Sequence, residues 1–110
     1  MTLVVNGTSI EVDDEGYLVS LSDWSETVAE AIAHSEQLEL TPEHWAVLNV
    51  IRDFYQTFEH APAMRPFVKA VGQALGADKG KSIYLMTLFP DSPAKLAAKI
   101  AGLPKPTNCL

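Results

Sequence analysis

The chain has 110 residues and a mass of 12.0 kDa, and its 47% hydrophobic content suffices for one domain with a single core. No apolar run approaches the roughly 20 residues of a membrane span, and the start lacks the basic stretch of a secretory signal, so we expect a soluble, cytoplasmic protein. The formal net charge of −6 disfavours non-specific binding to DNA.

The first twenty residues predict short extended segments. β-rich sequence flanks Asn6-Gly7, a dipeptide that favours a tight hairpin turn because both residues tolerate positive φ. We therefore predict a β-hairpin over 4–12. Tyr17-Leu18-Val19 predicts a further extended piece that lays Tyr17 on the core.

The next two segments have helical periodicity. Asp23 and Glu26 have the spacing of a capping box, which predicts a helix over 24–36. Thr41-Pro42 is typical of a helix start, because proline at the first helical position loses no hydrogen bond, and the helix should end near 60. Its periodic apolar residues, expected in the core rather than in a site, are Trp45, Leu48, Ile51, Tyr55 and Phe58.

Three shorter helices complete the predicted domain. They are expected over 62–75, over 80–89, where Phe89 should also be core, and over 94–101, which Gly102 should terminate. The predicted fold class is therefore mainly α (α+β), with an N-terminal β-hairpin packed on a small helical bundle that spans 1–102.

The last eight residues differ from the rest. Pro104 and Pro106 remove backbone donors and exclude helix, so we expect 103–110 to form a flexible C-terminal arm. The only cysteine, Cys109, is its penultimate residue.

Cys109 has no second cysteine with which to form an internal disulfide. A free cysteine is most often a small buried hydrophobe, but a thiol beyond two prolines at a chain end is hard to bury. Persulfide exchange requires a sulfur atom that can enter two different partner sites, which favours a sulfur carrier. No Cys/His arrangement typical of a cysteine enzyme is present, so partners should supply the catalytic groups.

A metal or other cofactor is not expected. The histidines His34, His44 and His60 are separated by 10 and 16 residues, which matches no local zinc-ligand spacing, and one cysteine cannot complete a Cys-rich site.

The charged residues are unevenly distributed. Residues 1–60 hold 12 acidic residues and one cation, Arg52, whereas residues 61–110 hold seven cations and two acidic residues. This asymmetry indicates either an oriented partner surface or simply a solubilising acidic face. Lys99, Lys105 and Arg65 are candidates for guiding the arm or contacting a partner, although most surface cations are only solvated.

Together, several motifs resemble the DsrC/TusE family of sulfur-trafficking proteins. The most specific is Gly102-Leu103-Pro104-Lys105-Pro106 ahead of Cys109. The others are Gly16-Tyr17-Leu18, Trp24-Ser25-Glu26, Pro42-Glu43-His44-Trp45, Val50-Ile51-Arg52-Asp53-Phe54-Tyr55, Tyr84-Leu85, Leu88-Phe89-Pro90, Pro93-Ala94-Lys95 and Lys99-Ile100-Ala101. The resemblance implies a helical domain with an N-terminal hairpin, a helix-turn-helix-like element, and an arm whose penultimate cysteine carries a persulfide.

Within that family, the DsrC members that serve dissimilatory sulfite reductase have a second cysteine where this chain has Ala98. The resemblance is therefore closest to the single-cysteine TusE type. It implies that Cys109 takes sulfur from the TusD subunit of a TusBCD-type complex and delivers it to an MnmA-type thiouridylase, which makes 2-thiouridine at the tRNA wobble position. Such a chain would be a persulfide-carrying sulfurtransferase component rather than a stand-alone enzyme.

Two alternatives stay open. The first is a DsrC-like thiol adaptor that uses Cys109 in another sulfur-transfer, oxidation or reduction pathway. The second is a transcriptional regulator built on the helix-turn-helix-like element. For DNA recognition, however, the predicted helix around 65–75 offers only Arg65, Lys69 and Gln73.

Overall fold

The structure is a computed structural model that describes residues 1–107. It consists of an antiparallel hairpin followed by five helices, which confirms the predicted α+β class. Its elements are β1 (Thr2–Val5), β2 (Thr8–Glu11), α1 (Glu26–Ser35), α2 (Pro42–Phe58), α3 (Met64–Leu75), α4 (Ser82–Leu88) and α5 (Pro93–Ile100). Within these residues, no helix combines the length and apolarity needed to cross a membrane.

The N-terminal hairpin forms around the predicted turn. Val5 pairs with Thr8, and the two residues between them, Asn6 and Gly7, have φ of 49° and 81°, as a two-residue turn between twisted strands requires. The chain then returns beside β2 through a single bridge between Val12 and Leu18. Tyr17 in this return is buried, so its predicted place on the core is confirmed.

The start of α1 differs from the prediction. Ser25, not Asp23, is the N-cap: its hydroxyl accepts a hydrogen bond from the Val28 amide at 3.2 Å. Asp23 instead belongs to a short 3₁₀ turn, and Trp24 has an extended backbone. The Trp24 indole reaches the end of α5, as described below.

The start of α2 is confirmed, with Thr41 as N-cap and Pro42 in the first turn. Thr41 and His44 form a reciprocal capping box, and the buried His44 ring also binds the Leu88 carbonyl at 2.7 Å, which ties α2 to α4. Leu48 and Ile51 are fully buried, and Trp45 and Tyr55 pack partly buried against the core.

The prediction that Phe58 lies in the core is wrong, because its side chain is 57% exposed. The buried residues of α2 all lie between His44 and Ile51, and Tyr55 is the last residue that packs against the core, so the end of the helix extends past it. Phe58 contacts Phe54 and His60 there instead.

The helix α5 lies at the centre of the bundle and contacts each of the other four helices. Small residues permit this close packing: Ala94, Ala97, Ala98 and Ala101 are almost completely buried. Phe89, just before α5, is also fully buried, as predicted. The C-terminal segment therefore starts from the best-packed helix of the domain.

Candidate functional site at the root of the C-terminal segment

The predicted sulfur-bearing residue, Cys109, lies outside the described residues, as do Asn108 and Leu110. The structure shows how the chain leaves α5 and runs to Thr107, two residues before the thiol. We call Ile100–Leu103 the root of the C-terminal segment.

Two backbone hydrogen bonds end α5 and set the direction of the root. The Gly102 amide donates to the Lys99 carbonyl at 3.1 Å, and the Leu103 amide donates to the Ala98 carbonyl at 2.9 Å. This pair of bonds, with Gly102 at φ 75°, is a Schellman motif. The side chain of Leu103 is then only 3% exposed, so the domain continues to pack beyond Gly102.

Two side chains from distant parts of the sequence bind the last carbonyls of α5. The Trp24 indole Nε1 donates to the Ile100 carbonyl at 2.9 Å, and the Arg52 guanidinium donates to the Ala101 carbonyl at 2.6 Å. The guanidinium also stacks over the Trp24 ring, 3.7 Å from its centroid. Its positive charge lies at the negative end of the helix dipole, so electrostatics and hydrogen bonding both stabilise the root.

Burial lowers the pKa of Arg52 from its ordinary value, and the nearby Asp53 carboxylate opposes that shift. An arginine remains protonated despite such a change, because its ordinary pKa lies far above neutrality. The cation at the root is therefore permanent under physiological conditions.

Gly102 is required at the root for two reasons. Its positive φ is a conformation that residues with a side chain rarely adopt, and a Cβ atom there would overlap the Trp24 indole. The indole thus packs directly on the backbone of the root.

Residues 103–107 contain neither helix nor strand. Pro106 is buried, whereas Pro104 and Thr107 are exposed, and the Lys105 ammonium lies 2.8 Å from the Glu15 carboxylate. The described part of the predicted arm is therefore in contact with the turn at 13–17. Whether the arm is flexible as a whole stays a prediction.

Lys99 also contacts this turn. Its ammonium is 3.5 Å from the Glu36 carboxylate and 5.4 Å from the centre of the Tyr17 ring, and its side chain packs against Gly16. A groove of about 350 Å³ lies here, lined by both charges of this ion pair and by Glu15, the partner of Lys105.

The structure thus brings together two of the predicted contact residues, Lys99 and Lys105. The third, Arg65, is exposed in the first turn of α3 and does not line this groove. Within residues 1–107, no group of three or more His, Cys, Asp and Glu side chains is arranged to hold a metal ion.

The roles of Trp24 and Arg52 at the root do not follow from the sequence. The helix predicted over 24–36 includes Trp24, and the sequence indicates nothing about Arg52 beyond its charge and its place in a family motif. One signal was available: Arg52 is the single cation among the first 60 residues, in an otherwise acidic and apolar region. A lone cation in such a context indicates a specific partner, although the sequence does not say which one.

The sequence and fold of this chain are similar to those of known proteins. The chain matches the family of DsrC like proteins over residues 4–110. It is 53% identical over 108 residues to the sulfurtransferase TusE homolog of Haemophilus influenzae, covering 98% of this chain and 99% of that protein.

Two solved structures have the same fold. The NMR structure of Allochromatium vinosum DsrC superimposes with a TM-score of 0.89 and 50% identity, covering 99% of this chain and 97% of that one. The crystal structure of the oxidized DsrC γ-subunit of dissimilatory sulfite reductase from Archaeoglobus fulgidus gives a TM-score of 0.87 and 38% identity, covering 100% of both chains. The full-length match in sequence and fold shows that this chain belongs to the DsrC-like protein family.

Proposed function

We propose that the chain is a sulfur carrier that accepts a persulfide sulfur on Cys109 and passes it to another protein. Residues 103–110 would form the arm that presents the thiol, and residues 1–102 the domain to which the arm is attached. The sulfurtransferase TusE name of its Haemophilus influenzae relative supports this role. The carrier itself needs no cofactor, because each exchange step is a nucleophilic substitution between sulfur atoms.

In the loading step, the Cys109 thiolate attacks the terminal sulfur of a persulfide on a donor cysteine. A new S–S bond forms at Cys109, the S–S bond of the donor breaks, and the donor leaves as a thiolate. In the delivery step, an acceptor thiolate attacks the terminal sulfur on Cys109, which returns to the thiolate. One sulfur atom moves in each step, and the carrier gains or loses no electrons overall.

The observation that carries this proposal is the fixed root. Four hydrogen bonds hold the root a few residues before the thiol. The Gly102 and Leu103 amides donate two of them, and the Ile100 and Ala101 carbonyls accept the other two. Thr107, two residues before Cys109, is exposed. Such an attachment supports a thiol that is presented outside the core.

The donor that we propose is the TusD subunit of a TusBCD-type complex, and the acceptor is an MnmA-type tRNA thiouridylase, in the cytoplasm. The single cysteine favours this route. Ala98, at the position of the second cysteine in the reductase-associated members, is fully buried and carries no thiol, so Cys109 has no internal disulfide partner.

The second candidate is a DsrC-like adaptor in another sulfur pathway, which the high similarity to Allochromatium vinosum DsrC favours. The two candidates share the chemistry of Cys109 and differ in the proteins that exchange sulfur with it. Loading by a purified TusBCD-type complex, compared with loading by a rhodanese-type sulfurtransferase, separates them.

The test of the carrier function uses intact mass. The protein is incubated with a cysteine desulfurase, the relay proteins and cysteine, and the wild type should gain the mass of one sulfur atom that a reducing agent removes. Cys109→Ser, which keeps the size of the side chain, should gain none. Equal labelling of both proteins, or no labelling of either, would refute the proposal.

A further inference from the structure

Far from the root in sequence, α2 and α3 leave an aromatic surface uncovered. Phe58 is 57% exposed, and its ring packs 4.6 Å from that of Phe54, which is only partly buried. Two adjoining hollows of about 300 and 370 Å³ run along these rings to Ala70 and Gln73 of α3. Exposed aromatic rings beside a concave surface are the usual anchor points of protein interfaces.

Two cations of α3, Arg65 and Lys69, line these hollows or lie one helical turn from them. Lys69 lines one of the hollows, and Arg65 lies one helical turn before it on α3. Neither side chain forms an ion pair with any of residues 1–107, whereas Lys99 and Lys105 both do. The helix α3 contains no acidic residue, so these two charges are not neutralised along the helix.

We propose that Phe54, Phe58, Arg65 and Lys69, which we call the α2–α3 face, form a docking surface for a partner protein of the sulfur relay. The occupant is a segment with an apolar anchor side chain flanked by Asp or Glu. The anchor enters the hollows beside Phe54 and Phe58, and the carboxylates pair with Arg65 and Lys69. This inference rests on the proposed carrier function, for which a docked domain holds the partner while Cys109 exchanges its sulfur.

The same residue types could also stack RNA bases, but the charges favour a protein. Binding to a nucleic acid strand draws on many phosphate contacts, and this surface offers two cations, with Asp53 lining one of its hollows. The whole chain has a net charge of −6, which repels a polyanion further. A short acidic peptide segment needs only the local pair of cations.

The experiment measures non-covalent binding of a Cys109→Ser parent, which cannot form mixed disulfides. Its affinity for a purified TusBCD-type complex and, separately, for an MnmA-type thiouridylase is measured by biolayer interferometry. Phe58→Ser and Lys69→Glu should each raise the Kd for one of these proteins about tenfold or more, a loss typical of interface anchor residues.

Matched controls lie on another element. Ile83→Ser removes an exposed apolar side chain of α4 that is 74% accessible, and Lys81→Glu reverses an exposed cation beside it. Both controls should bind within twofold of the parent. The proposal would be overturned if the parent bound neither protein or if the face variants bound as tightly as the parent. It would also be overturned if the control variants lost as much affinity as the face variants. Phe58-dependent binding of tRNA without either protein, or Phe58-dependent self-association in sedimentation, would overturn it as well.

A second measurement separates this proposal from the carrier function. With Cys109 intact, Phe58→Ser should take up sulfur from inorganic polysulfide at the wild-type rate. It should take up sulfur from the protein donor, or deliver sulfur to the protein acceptor, more slowly than the wild type. Slow exchange with both small and protein partners would refute docking at this face. If Cys109 never carries sulfur but the α2–α3 face still binds one of the two relay proteins, the carrier function is refuted and the docking surface is not.

Discussion

The root of the C-terminal segment and the α2–α3 face both contain aromatic rings and cations. These side chains are bound within the fold at the root and are partly exposed at the α2–α3 face. At the root, an indole and a guanidinium are stacked and both donate hydrogen bonds to the end of α5. At the α2–α3 face, two phenyl rings are incompletely covered, and neither Arg65 nor Lys69 has an ion-pair partner within residues 1–107. Aromatic residues and cations therefore stabilise the fold in one region and are available to a partner in the other.

The largest effect is expected from Gly102→Ala. The new Cβ atom overlaps the Trp24 indole, and the residue must keep a positive φ, so the free energy of unfolding should fall by about 3 kcal/mol or more. Urea denaturation followed by circular dichroism measures this loss.

Gly7→Ala is the matched control for that substitution. Gly7 also has a positive φ, of 81°, but no atom lies within 4 Å of its added Cβ. Its loss should be only about 1–2 kcal/mol, the conformational part alone. Equal losses for both variants would show that the contact between the root and Trp24 contributes nothing.

A smaller loss is expected from Arg52→Met, which preserves most of the packing but leaves the Ala101 carbonyl without its charged donor. The free energy of unfolding should fall by about 2 kcal/mol, from the lost hydrogen bond and the lost stacking on Trp24. Arg65→Met makes the same chemical change at an exposed position and should alter stability by less than about 0.5 kcal/mol. If the two variants were equally stable, the distinction between the root and the α2–α3 face would be lost.

What the sequence predicted correctly depends on neighbouring residues. The Asn6-Gly7 turn and the Thr41-Pro42 helix start follow from backbone preferences, and the core of α2 follows from its periodicity. These signals act within a few residues, so they can be interpreted without a fold. The motif at Gly102–Pro106 pointed to the family, which the full-length comparison confirmed.

What the sequence could not predict depends on distant residues. Trp24 meets the Ile100 carbonyl across 76 positions, and Arg52 meets the Ala101 carbonyl across 49. No periodicity connects such pairs, and the apolar character of Trp24 made it look like part of α1. The prediction that Phe58 lies in the core was wrong for a related reason. Periodicity identifies the apolar face of a helix, but it does not show where along the helix the packing partners end.

Among Gly102→Ala, Arg52→Met and Phe58→Ser, the smallest effect on stability is expected from Phe58→Ser, and it tests whether the α2–α3 face is part of the fold. Because the ring is 57% exposed and serine has a similar helix propensity, the free energy of unfolding should change by no more than about 1 kcal/mol. Phe67→Ser is the contrasting variant: Phe67 is fully buried in α3, and its loss should exceed about 3 kcal/mol. A loss above about 2 kcal/mol for Phe58→Ser would mean that the fold itself requires this ring, and weaker partner binding by that variant could then reflect unfolding. A small loss, together with weaker binding, is the combination that only an interface residue produces.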